Sequence, residues 1–397
     1  MKTVKAIGFI VLGLFGLYTL EFGVVGILPM IMERFAISTS RAGLLMGVFA
    51  LTVAVLGPGL VLVSSRLRHK NIVVVSLFAF AICSLFSAFT YSFDLLLSLR
   101  VVSAIFHPMF YAAALASAIA LYPPERAGHA VSRAVLGATL GLILGVPAMS
   151  AVANTFGYEA AYLFCAAVCF FAGLGVLILL PSSPTGELPG YGEQLMILRK
   201  PALWLNLISG VLTFTALFAV YSYAAEYLQR QVGLSPHAIS LMLVVFGVGG
   251  VASNLGIGKL LDSHLIQATL LQPLMLAVAY LLLFALASQW LPGMAMIMLF
   301  WGASHTCGLI SSQIWLRSVS REAPDFSTSL FITAANIGVM LGSSLGGWAI
   351  ERLGLPAALW LGVMFCVLAT LLIAFKATFY GAHSSRREAR QARTSLT

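Results

Sequence analysis

Apolar runs of about twenty residues or more, parted by short polar breaks, recur twelve times along this chain. A helix needs about 20 mostly apolar residues to cross a bilayer. The runs predict membrane spans near 6–32, 41–64, 71–90, 94–121, 130–153 and 159–181. A second set follows near 202–228, 237–261, 265–288, 291–316, 326–350 and 356–379. The first run, at roughly 27 residues, is too long for the 7–15 apolar residues of a cleavable signal, and no A-x-A site follows it. It reads as the first span.

Composition agrees: 60% of residues are hydrophobic, 9% are charged, and mean hydropathy is +1.00. A soluble domain carries about 25% charged residues, so lipid must be the main solvent of this exterior. The net charge of +9 would suggest nucleic acid in a soluble protein, but no basic domain is present to hold a duplex. The basic residues speak for topology instead. With the N-terminus in the cytoplasm, 17 of the 22 Lys and Arg fall inside, against Arg34, Arg41, Arg230 and Arg352 outside and Arg100 within a span. That bias places both termini in the cytoplasm. The five cysteines lie in apolar runs without a CxxC pair and read as small buried hydrophobes.

A polar stretch rich in proline and glycine, 182–200, divides the spans into a six-helix bundle over 1–181 and another over 201–380, before a basic tail at 381–397. The bundles resemble each other at an offset of 197 residues. Gly141, Gly145 and Gly157 map onto Gly338, Gly342 and Gly354, and Gly59 onto Gly256. Several matches at one offset argue for duplication. The expected fold is therefore an all-α membrane protein of two pseudo-symmetric six-helix halves, with a binding site between them near the midplane.

The few polar residues inside spans are the candidates for chemistry. Arg100, Ser103, His107 and Tyr111 share one face of the fourth span, and a buried arginine is costly unless it meets water or a partner. Glu21 is the one acid deep in an apolar run, past the middle of the first span. Isolated there, it would hold a proton until water or substrate arrived. A hydrogen bond to a neighbouring helix is the plainer alternative for Glu21, as a backbone-bonded ring is for His107. Glu226, near the outer end of the seventh span, is a weaker candidate for the same proton-holding role, because snorkelling to the interface would suffice. Asn206, Ser209, Thr213 and Tyr221 on span seven, Trp301, Ser304, His305 and Ser312 on span ten, and Asn336 on span eleven form further stripes. Together with Tyr111 they would line a cavity for an uncharged or weakly charged solute. Gly137, Gly141 and Gly145 precede Pro147 in span five, and Gly338 and Gly342 repeat the spacing in span eleven. Such ladders let helices approach closely, and the proline permits a bend. Plain packing or sliding during conformational exchange would both use them.

Several of these pieces together resemble the major facilitator superfamily, in particular its twelve-helix drug:proton antiporters and the bacterial branch exporting sugars, purines and chloramphenicol. The resembling residues are Glu21-Phe22-Gly23, Gly26 to Pro29, Ala42-Gly43, Gly57-Pro58, Arg100, His107-Pro108, the Gly137 to Pro147 run and Tyr221-Ser222-Tyr223. The family's loop signature, roughly G-x-L-x-D-R-x-G-R-R/K, is incomplete between spans two and three. Val61 and Ser65 replace its glycine and aspartate, although Arg66 and Lys70 remain, whereas Gly258 to Asp262 preserve the second copy. The resemblance implies a cytoplasmic gate at Arg66, Lys70 and Asp262, with Glu21, Arg100 and His107 in proton coupling. G-x-S-x-G at 342–346 and G-x-G-x-x-A at 247–252 lie in apolar helices rather than after strands, so neither reads as an active site or a nucleotide site.

The resulting expectation is a monomeric, proton-coupled exporter of a small solute, acting by alternating access without a cofactor or metal. An importer or uniporter on the same scaffold is the nearest alternative. An intramembrane enzyme is more remote, because no nucleophile, base and orienting group converge.

Overall fold

The structure is a computed structural model that describes the chain except residues 1, 65–66, 124–126, 182–195, 318, 321–323 and 395–397. For residues 2–5, 62, 127–129, 131–132, 254–264, 317, 324–326 and 380–394 it describes the backbone alone. Among the described residues, twelve helices are long and apolar enough to span a membrane. They are α1 (Ala6–Gly26), α2 (Thr39–Val61), α3 (His69–Phe89), α4 (Phe93–Ala120), α5 (Arg133–Phe156) and α6 (Tyr158–Leu179), then α7 (Pro201–Gln231), α8 (Pro236–Ser253), α9 (Leu265–Leu286), α10 (Leu291–Leu316), α11 (Ser327–Leu353) and α12 (Pro356–Phe379). Backbone between α8 and α9 is helical throughout, from Pro236 to Leu286, yet the chain reverses there. Phe246 and Tyr280 both reach the Trp301 ring, with centroids 5.1 and 6.1 Å away. A straight helix would hold them about 50 Å apart.

The first span differs from the uninterrupted run expected to residue 32. It breaks at Ile27 (φ −120, ψ 12), and a short helix, Leu28–Phe35, follows. Pro29 explains the break, because a proline lacks the N–H that would continue the ladder and restricts the residue before it. The second half repeats the break at Tyr223 (φ −115, ψ 15), without a proline. Positive-φ residues recur in pairs as well: Ala36 with Gly233, and Gly157 with Gly354.

Both glycine ladders meet equivalent helices. A β-carbon at Gly137, Gly141 or Gly145 would run into Val11, Phe15 or Thr19 of α1. At Gly338 and Gly342 it would meet Val211 and Thr215 of α7. The hydroxyls of Thr19 and Thr215 each donate to the carbonyl four residues earlier, Phe15 and Val211, at 2.8 Å. The same contacts recurring in both halves fit duplication. Ahead of Pro147, residues Gly141–Gly145 form a π-helical turn. Pro147 has no N–H for the Ile143 carbonyl, and Gly247 of α8 packs against that carbonyl.

Twelve crossings return the two ends of the chain to one face, here called the terminal face. The hydrophobic core is distributed unevenly between the faces. Toward the opposite face one buried cluster runs through both halves and includes Phe22, Met46, Val146, Phe218, Phe246 and Trp301. Toward the terminal face it divides. Ile7, Leu14, Phe80 and Phe110 belong to a cluster whose buried residues all come from the first half, with Ile332 of α11 packed against it, and Ile197, Leu203 and Leu316 to one drawn from the end of the dividing stretch and the second half. The halves thus share a core at one end and, apart from the Ile332 contact, keep separate cores at the other.

Candidate functional site

Where the shared core begins, α4 turns Arg100 and His107 toward α1. Arg100 is 3% exposed and forks over main-chain carbonyls: Nη1 donates to Leu20 O, Nη2 to Glu21 O and Leu45 O, and Nε to Leu45 O, at 2.5–3.2 Å. Its guanidinium carbon lies 4.6 Å from the centre of the Phe49 ring. Carbonyls and an aromatic face replace the water that a buried cation would lose. The carboxylate of Glu21 turns instead to His107, with Oε2 3.2 Å from Nε2. That contact is close but poorly aligned as a hydrogen bond, and His107 Nδ1 has no partner. Tyr18 packs on His107 and on Tyr111, with centroids 6.1 and 6.5 Å apart, and Phe49 meets the His107 ring edge-on. An acid, an imidazole and a guanidinium therefore share one apolar pocket at the junction of α1, α2 and α4.

The second half answers with an aromatic group. His305 lies among Phe218, Tyr221 and Phe246, with centroids 4.9–5.7 Å apart, and Trp301 packs edge-on against Phe246. Trp301 Nε1 and His305 Nδ1 are buried without a hydrogen-bond partner. Asn206 donates to Trp315 O at 2.6 Å and Asn336 to Ile332 O at 2.9 Å, which leaves both amide oxygens unpaired. Buried polar atoms rarely go unpaired without a role or a ligand. Phe22 and Phe218, 5.6 Å apart, join the two groups across the halves.

The sequence model of the Major Facilitator Superfamily matches residues 10–324 and 221–396. The chain belongs to the Major Facilitator Superfamily. It is 29% identical over 363 residues to the inner membrane transport protein YdhP of Escherichia coli K12, covering 91% of this chain and 93% of the relative. A bacterial homologue of the human lysosomal transporter Spinster, crystallised inward-facing and unoccupied, superposes with a TM-score of 0.71 at 19% identity over 94% of this chain and 96% of that one. The nucleoside transporter NupG superposes with a TM-score of 0.76 at 14% identity over 95% and 99%. This facilitator is a multi-pass membrane transporter, not an enzyme.

Within the facilitator the expected residues fall into three groups. Glu21, Arg100 and His107 come together, although Arg100 engages the carbonyl of Glu21 and not its carboxylate. The expectation of an isolated acid is corrected, because His107 stands beside it. Tyr221, Trp301 and His305 also meet. Ser304 and Thr213 are buried, and their hydroxyls donate to carbonyls of their own helices, Phe300 and Ser209. Neither has a free donor for a solute in this conformation. Of the loop residues, Lys70 sits in the first turn of α3, while Arg66 and the side chain of Asp262 lie outside the described residues.

Sequence reasoning passed over Tyr18, Phe49 and the seam on the opposite face. Tyr18 lies three residues before Glu21, hence on its face, and that spacing was readable. Glu226 was expected to snorkel; instead it is 0% exposed and accepts a 2.8 Å hydrogen bond from Thr39 of the other half. Nearby, Ser150 and Ser240 share a hydrogen bond of 2.9 Å, and Asn154 donates to Pro236 O at the same distance.

Proposed function

We propose that this facilitator is a proton-coupled exporter in the bacterial inner membrane, with both termini cytoplasmic. The observation that carries the reading is the buried Glu21–His107 contact beside Arg100, at the depth where the shared core gives way to separate ones. A proton bound there changes the charge of a pocket that touches three helices, so it can bias how the halves meet. With the terminal face taken as cytoplasmic from the Lys and Arg distribution, the core shared at the opposite face supports reading this conformation as inward-facing. Gly210 of α7 supports this, being buried while a β-carbon built on it meets nothing within 4 Å, as expected beside a central cavity. The unpaired nitrogens of Trp301 and His305 and the unpaired oxygens of Asn206 and Asn336 suit a small neutral or weakly charged solute with both donors and acceptors. Sugars, purine compounds and antibiotics of modest size fit that description.

Thermal-shift screening of purified protein against nucleosides, sugars and antibiotics selects a substrate. Proteoliposomes with an imposed pH gradient then test the coupling. Flux that accelerates with the gradient in wild type, and at least about tenfold less in Glu21→Gln, is the expected result. Flux indifferent to the gradient, or unchanged by Glu21→Gln, contradicts it.

A further inference from the structure

Glu226 takes no part in the central site, yet it is fully buried where the halves meet at the opposite face. Its Oε1 accepts from Thr39 Oγ1, across the halves, at 2.8 Å, and from Arg230 Nη1, one turn on, at 3.1 Å. Its Oε2 has no partner. A cavity of about 400 Å³ opens at this seam, lined from both halves by Ser38, Thr39, Glu226, Arg230 and Glu351 among others. The Thr39 hydrogen bond on Oε1 is strong when the acceptor is ionised; against a neutral acid it weakens about twofold in energy, and the attraction to Arg230 falls as well. A buried carboxylate with one oxygen unpaired is also costly to keep charged.

We propose that Glu226 is a second proton-binding group of this transporter, whose ionised form latches the opposite face by holding Thr39 and whose protonation from the seam cavity releases it. The surrounding charges permit this. On its own helix face are Arg230, which donates to it, and Tyr223, whose hydroxyl is committed to the Ser343 carbonyl. From α11 comes Glu351. From the short helix after α1, Glu33 is exposed and Arg34 is engaged by Glu159 at 2.6 Å. From α2 the group contacting Glu226 is the Thr39 hydroxyl, while Arg41 pairs with Asp94 at 2.8 Å. The latch requires neither the proposed transport direction nor proton carriage by Glu21, so each can fail separately.

The test is a distance measurement by pulsed electron paramagnetic resonance on the full chain in nanodiscs. Spin labels go on cysteines introduced at Phe156 and Leu353, exposed positions at the opposite face; the five native cysteines are buried and resist labelling. In wild type the closed-to-open ratio should fall at least about fivefold from pH 8 to pH 5, the scale on which a charged hydrogen bond exceeds a neutral one. In Glu226→Gln the ratio at pH 8 should already be as low as that of wild type at pH 5. Thr39→Val should also lower it at pH 8, and it serves should the glutamine variant not fold. Glu21→Gln should leave the pH response of this face in place. A wild-type ratio insensitive to pH overturns the latch. So does a Glu226→Gln ratio at pH 8 equal to that of wild type, or a pH response that Glu21→Gln abolishes.

Discussion

At the scale of single residues, the central site depends on how a buried arginine is satisfied. Arg100 holds three carbonyls from two helices, a geometry that the planar fork of a guanidinium permits and a single ammonium does not. Arg100→Lys should therefore destabilise the protein by about 2–3 kcal/mol, leaving a buried cation short of partners; a thermal melt in detergent reads this as a lowered Tm. A Tm equal to that of wild type would show that the carbonyl contacts carry little weight. Glu21, Arg100 and His107 were legible in the sequence because charge or imidazole within an apolar run is conspicuous. Their partners were not. The ligands of Arg100 are main-chain carbonyls, which leave no mark in a sequence. Thr39 bonds Glu226 from 187 positions away, and nothing local to either residue signals the pairing.

Helices and their crossings were the most readable level. Twelve spans were found because a bilayer demands length and apolarity from each, and the ladders at Gly141 and Gly342 were visible as a spacing of four. Two features escaped. Pro29 announces the break at Ile27, but hydropathy alone does not register a proline. The break at Tyr223 has no such signal. The ladders also yield a contrast. Gly342→Val drives a branched side chain into the α7 backbone near Thr215 and Ala219 and should cost about 1–3 kcal/mol as overpacking. Gly210→Ala adds a methyl to open space and should change stability by no more than about 0.5 kcal/mol. Comparing the two melting temperatures tests whether α7 packs tightly on α11 while facing a void elsewhere; equal losses would contradict that division.

For the whole molecule, the uneven core is the decisive feature. Joined apolar clusters, the Thr39–Glu226 hydrogen bond and the Ser150–Ser240 contact hold one face together, while at the other the buried cores are separate and only Ile332 of α11 packs across. Duplication was readable from glycines at one offset, and it implied a site between halves. Which face would be closed was not readable, since both states use one sequence and differ by a few kcal/mol of contact between the halves. Alternating access requires the faces to exchange roles. Pulsed electron paramagnetic resonance on two labelled pairs measures this directly: Phe156 with Leu353 at the opposite face, and Leu67 with Phe379 at the terminal face, all exposed positions. Across a pH series or upon solute addition, the account predicts that one distance lengthens as the other shortens. Distances that stay fixed, or that lengthen together, would contradict it.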